Sequence, residues 1–138
     1  MTLIIGGEAQ GKRTYAESLF TGEYTAADCG ECPSEDVFSA ELIVDYHLMI
    51  KRIADAESFT REMCERNPTA IVTMNEVGSG IIPMEKEERK YRETAGRCGC
   101  IIAENAEEVI RMFSGIPMKI KQRSCTHYEG STPEPKKV

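Results

Sequence analysis

No stretch of the sequence stays apolar for the roughly 20 residues a membrane-spanning helix needs. Its opening, Met1-Thr2-Leu3-Ile4-Ile5-Gly6-Gly7, lacks the length and the basic start of a secretory leader and reads instead as a strand. A surplus of basic residues is also missing. Lys and Arg total 17 against 23 Asp and Glu, a formal net charge of -6. That balance speaks against a general nucleic-acid binder and against an anionic-membrane binder, since both need positive surfaces. At 138 residues the chain has no room for a second full core, and no internal repeat is visible. What remains is one cytoplasmic domain, 41% hydrophobic and 29% charged, with the balance of a soluble protein.

Histidine is scarce, with only His47 and His127, whereas six cysteines are many for this length. Without a secretory context they do not read as a disulfide framework. Cys29-Gly30-Glu31-Cys32 has the CxxC spacing, and Cys98-Gly99-Cys100 forms a second close pair. A four-thiolate zinc site demands a CxxC-like claw on both sides, and the second pair has one residue too few. Ordinary reduced thiols are the simpler reading, with structural zinc and a redox CxxC as alternatives, and no metal ligands are assigned.

Alternation of strand-like and helix-like segments predicts an α/β fold with a small, mostly parallel sheet flanked by helices. Leu3 to Ile5 is a short buried strand, and Thr14 to Phe20 is the helix after its glycine turn. Thr21 to Ser34, with Gly22, Gly30 and Pro33, reads as a loop. From Asp36 to Ala54 the residues Phe38, Leu42, Tyr46, Met49, Ile50 and Ile53 recur at helical spacing and predict one helix. A further helix is expected from Glu57 to Arg66, ending before Asn67-Pro68. Ala70 to Met74 is a β-branched strand, Asn75 to Pro83 a glycine-bearing loop, and Glu85 to Glu104 a charged helix. Val109 to Phe113 and Ile116 to Ile120 are strands folded back on each other through Ser114-Gly115. Residues 1–121 therefore form the domain, and residues 122–138 a loosely held tail.

The segment Gly6-Gly7-Glu8-Ala9-Gln10-Gly11-Lys12-Arg13 fits G-x-x-x-x-G-K between a strand and a helix, the context a phosphate-binding turn requires. Glycines let the main chain wrap closely around a phosphate, inward N–H groups supply partial positive charge, and Lys12 adds an ammonium. A Ser or Thr usually follows the lysine and holds Mg²⁺; here Arg13 stands there, with Thr14 one helical step further round. The other reading is a tight turn whose glycines serve backbone geometry alone. In the second loop Glu76 is the best-placed carboxylate for Mg²⁺ or water, because ligands of open α/β sheets sit beyond the carboxyl ends of strands.

Four blocks then occur in order. Gly6-Gly7 and Gly11-Lys12 precede Ala16-Glu17; Asn75-Glu76-Val77-Gly78-x-Gly80-Ile81-x-Pro83 follows. Next come Tyr91-Arg92-x-x-x-Gly96-Arg97 and Ser114-Gly115-Ile116-x-x-Lys119-Ile120-Lys121. Together they resemble the adenosylcobinamide kinase / adenosylcobinamide-phosphate guanylyltransferase enzymes of cobalamin biosynthesis. The resemblance implies a RecA-like P-loop fold and a homo-oligomer. It also implies two transfers: phosphorylation of the aminopropanol hydroxyl of adenosylcobinamide by ATP or GTP, then transfer of GMP to that phosphate through a guanylylated histidine. Family members carry a longer stretch after the first helix, with the accepting histidine and a strand ending in an acid; here Thr21 to Ser39 is read as a short cysteine-bearing loop.

Carried onto this chain, the candidate catalytic residues are Lys12, Glu76 and His47, with His47 as nucleotidyl acceptor or as a half-buried structural histidine. Gly6, Gly7, Glu8, Ala9, Gln10, Gly11, Lys12, Arg13 and Thr14 are expected to bind the nucleotide. Gly78, Gly80, Arg92 and Arg97 are expected to meet the substrate, the arginines because guanidinium suits oxyanions; ion pairing along their helix is the other reading. Adenosylcobinamide or its phosphate is the expected partner, with no nucleic acid or membrane. The alternative is a non-catalytic nucleotide- or corrinoid-binding protein that has lost magnesium-assisted transfer.

Overall fold

The computed structural model describes residues 1–76 and 85–122. Six strands form one sheet in the order β2-β3-β4-β1-β5-β6. The strands are β1 (Thr2–Gly6), β2 (Ala26–Asp28), β3 (Leu42–Val44), β4 (Ile71–Asn75), β5 (Glu108–Phe113) and β6 (Ile116–Lys121). All neighbours are parallel except β5 and β6, which form an antiparallel hairpin. The helices are α1 (Lys12–Ser18), α2 (Tyr46–Arg52), α3 (Ala56–Arg66) and α4 (Lys86–Asn105). The expected α/β architecture is the observed one.

Side-chain alternation along the strands divides the core in two. Ile4, Leu42, Val44, Ile110 and Met112 pack with Ala16 of α1 on one face. On the other face Leu3, Ile43, Val72, Met74 and Val109 meet α2, α3 and α4 through Met49, Met63, Cys98 and Ile102. The sheet is thus sandwiched between helices, and β1 lies in the middle, paired with β4 and β5.

The single helix expected from Asp36 to Ala54 is replaced by three elements. Ser34–Phe38 is a 3-10 turn, Leu42–Val44 is a strand, and only Tyr46–Arg52 is α-helical. The physical reason is burial. Leu42, Ile43 and Val44 are all essentially inaccessible, and β2 and β4 on either side satisfy their backbone groups. Asp45 then takes a left-handed conformation (φ 57°, ψ 54°) that ends the strand and starts α2. Apolar residues of separate elements, each facing the core, mimic a helical period. The expected loop from Thr21 to Ser34 likewise contains β2, three residues whose strand geometry comes from pairing with β3 rather than from pattern. This β3 followed by Asp45 is also a strand ending in an acid, a feature expected to be absent from this part of the chain.

Buried Asn67 fixes the 3-10 turn: its Nδ2 donates to the carbonyls of Val37 (2.9 Å) and Ala40 (2.8 Å). Replacing Asn67 with Ala removes both bonds and leaves two carbonyls short of a partner. Urea unfolding should show a loss of about 2 kcal/mol. A change within error would mean that water replaces the amide.

Candidate nucleotide site

The turn after β1 is built by backbone constraint. A Cβ on Gly6 would stand 2.7 Å from the Met112 carbonyl oxygen, so only glycine lets β1 approach β5 this closely. Beyond it Ala9 (φ 58°) and Gly11 (φ 91°) are both left-handed. Such reversals turn main-chain N–H groups toward one concave side, an anion nest. No side chain caps the start of α1, and its first turn holds no acidic residue. Gln10 ties the turn to the β5–β6 hairpin: its Oε1 accepts from Ser114 N–H at 2.6 Å, and its carbonyl accepts from Gly115 N–H at 3.1 Å.

Lys12 is buried and donates from Nζ to the Gly7 carbonyl at 2.7 Å, folding back over the turn. Burial pushes its pKa down, while the charges of Asp45, Glu8 and Glu76 push it back up. An arriving phosphate would supply what the buried ammonium lacks, a full anionic partner. Arg13 faces the flank, bonding Glu17 at 3.4 Å and lying 4.0 Å from Asp28.

A cavity of about 640 Å³ opens over this turn. Residues Glu8 to Thr14 form one wall; Asp45, His47, Leu48 and Lys51 of β3–α2, Asn75 at the end of β4 with Glu76 just beyond it, and Glu88, Tyr91 and Arg92 of α4 form the rest. Among the predicted residues, Lys12, His47, Glu76 and Arg92 therefore converge with the turn. Arg97 does not: it pairs with Glu57 at 2.7 Å along the α3–α4 groove. Gly78 and Gly80 lie outside the described residues.

Glu76 is not a free carboxylate. Its Oε1 accepts from Arg111 Nε at 2.7 Å and its Oε2 from Arg111 Nη2 at 3.4 Å. His47 accepts from the Asn75 N–H through Nδ1 at 3.1 Å, and burial, helped by the Lys12 and Lys51 charges, holds its pKa below the ordinary value. Tyr91 donates its hydroxyl to the His47 carbonyl at 3.1 Å and carries Lys51 over its ring at 4.8 Å.

Sequence reasoning missed Asp45, Arg111 and the Gln10 tether. The acid directly after Leu-Ile-Val was the available signal for Asp45, hidden by the helical spacing laid across it. Arg111 had a weaker one, a lone charge in an apolar strand. For the cysteines, no group of three or more His, Cys, Asp or Glu side chains gathers to hold a metal ion among the described residues, and burial raises the pKa of the Cys29, Cys32, Cys64 and Cys98 thiols. Among those residues, too, no helix is long and apolar enough to cross a membrane.

The sequence model of the family described as cobinamide kinase / cobinamide phosphate guanyltransferase matches residues 37–120. The chain belongs to this family. Two curated relatives are both named bifunctional adenosylcobalamin biosynthesis protein CobU. The one from Salmonella typhimurium (strain LT2) is 40% identical over 78 residues, covering 56% of this chain and 43% of the relative. The one from Escherichia coli (strain K12) is 40% identical over 79 residues, with the same shares. The match thus spans less than half the length of these relatives. The cobinamide kinase match starts at residue 37, so the phosphate turn stands on its own geometry.

Replacing Gln10 with Leu removes the Ser114 tether without touching the Gly115 bond. Calorimetric affinity for a nucleoside triphosphate should fall roughly tenfold, about 1.4 kcal/mol. Unchanged affinity would show that the turn holds its shape unaided.

Proposed function

We propose that this chain binds ATP or GTP at the glycine turn and phosphorylates adenosylcobinamide, as a cytoplasmic, self-associating transferase of cobalamin biosynthesis. The observation that carries this reading is convergence. A left-handed main-chain nest, a buried lysine, Arg92 and four carboxylates, Asp45 and Glu76 among them, share one cavity at the carboxyl ends of β1, β3 and β4. Membership of the cobinamide kinase family supplies the acceptor class. The exposed Phe113, Ile116, Met118 and Ile120 on the β5–β6 hairpin support self-association.

In the transfer, the aminopropanol hydroxyl oxygen forms a bond to the γ-phosphorus. The bond from that phosphorus to the bridging β-oxygen breaks, the nucleoside diphosphate leaves with the electron pair, and the hydroxyl proton passes to water. Phosphoryl transfer asks the protein chiefly for position and positive charge. The turn amides hold the β- and γ-phosphates, Lys12 leaves the Gly7 carbonyl for the charge developing on the bridging oxygen, and Arg92 lies across the cavity. Mg²⁺ favours sites with one or two carboxylates plus phosphate oxygens; Asp45, which lines the cavity, would hold it, and when bound it would neutralise phosphate charge. Glu76 would join Asp45 only after leaving Arg111.

Arg13 favours a second reading, binding without transfer, because a guanidinium cannot take the place of a cation-holding hydroxyl. Incubation with γ-labelled ATP or GTP, Mg²⁺ and adenosylcobinamide separates the two. Label should appear in the corrinoid, and Lys12→Met should lower the rate by about a hundredfold. Triphosphate binding by calorimetry with no labelled corrinoid would establish the binding protein instead.

A further inference from the structure

We propose that His47 presents its Nε2–H to a phosphate oxygen of the bound triphosphate, as a neutral hydrogen-bond donor rather than a covalent acceptor of the nucleotidyl group. The inference rests on the nucleotide-binding part of the function proposed above, and on one contact in particular.

The Asn75 N–H donates to Nδ1 at 3.1 Å. An imidazole nitrogen that accepts a hydrogen bond bears no proton, so the ring is not imidazolium and its single N–H is on Nε2. A phosphorus–nitrogen bond can form only at a nitrogen with an available lone pair. On Nε2, which carries the proton, that pair is delocalised into the aromatic ring. On Nδ1 it is committed to the main chain at the end of β4, and withdrawing it would strip the Asn75 amide of this partner. Neither nitrogen is placed to attack an α-phosphate, and Nε2–H is the one polar group of the ring left for the cavity that His47 lines.

The ring is also held against rearrangement. Its own backbone follows the left-handed Asp45, which sets the start of α2. The Tyr91 hydroxyl bonds the His47 carbonyl at 3.1 Å, and the Asp45 N–H bonds the Thr73 hydroxyl at 2.9 Å, so β4 and α4 both fix the segment. The residue as a whole is only 9% exposed. A buried neutral donor facing an anion resembles an oxyanion-hole contact, which strengthens as charge builds on the phosphoryl oxygens.

Only two histidines exist in the chain, so nitrogen NMR of the ¹⁵N-histidine-labelled protein reads the tautomer directly once His127→Gln assigns the signals. The expected result is a proton on Nε2 of His47, with its signal moving when a non-hydrolysable GTP analogue is added. A proton on Nδ1, or an Nε2 signal indifferent to saturating analogue, would overturn the proposal. Variants give a second readout. Glutamine can place an amide N–H near the Nε2 position, whereas asparagine offers only an acceptor near Nδ1. His47→Gln should keep kcat for phosphoryl transfer within about tenfold, and His47→Asn should lose roughly a hundredfold. Acid-labile label on His47 after incubation with α-labelled GTP would also overturn it. If γ-label never reaches the corrinoid, the kinase reading fails, while tautomer and analogue shift still decide the role of His47.

Discussion

The close approach of β1 to β5 at Gly6 is the constraint on which the site depends. With a Cβ position only 2.7 Å from the Met112 carbonyl, any side chain there would push the two strands apart. That approach sets where the chain leaves the sheet, and hence where the left-handed residues Ala9 and Gly11 throw their amides. The Gln10 bonds to Ser114 and Gly115 then fasten the far side of the turn to the hairpin that β5 begins. The nest is therefore held at both ends by the same hairpin, and Lys12 folds back over it.

Charge around this nest is arranged as an internal network. Lys12 rests on a neutral carbonyl with its pKa lowered by burial, Glu76 is engaged by Arg111, and Arg13 is turned toward Glu17 and Asp28. A bound polyphosphate would compete for Lys12 first, because among the described residues it is the cation that is both buried and without a carboxylate at bonding distance. Exchanging a carbonyl for a phosphate oxygen there gains a charge-assisted bond while losing a neutral one.

Much of the architecture was legible in the sequence because β1, β4, α3, α4 and the β5–β6 hairpin announce themselves through local signals: β-branched runs, proline stops and a Ser-Gly turn. The glycine turn was legible for the same reason, since its motif is a backbone requirement written in residue types. What stayed hidden were features created by tertiary pairing. Leu42-Ile43-Val44 is a strand because β2 and β4 flank it, and nothing in its own spacing distinguishes it from a buried helical turn. Reading it as helix concealed Asp45. Arg92 and Arg97 stood together as candidates in the sequence, yet Arg92 lines the cavity over the glycine turn whereas Arg97, five residues along α4, pairs with Glu57.

Asp45, Lys12 and Glu76 all stand where the chain leaves a strand or enters a helix, so backbone torsions and sheet register locate them rather than the fit of neighbouring side chains. The core-facing residues of α3 and of the C-terminal half of α4 are therefore separable from the chemistry, whereas Tyr91 and Arg92, nearer the start of α4, are part of the cavity. A designer could exchange Met63, Ile101 or Ile102 for side chains of equal volume, altering how firmly these helices grip the sheet, and leave the charges of the cavity where they are.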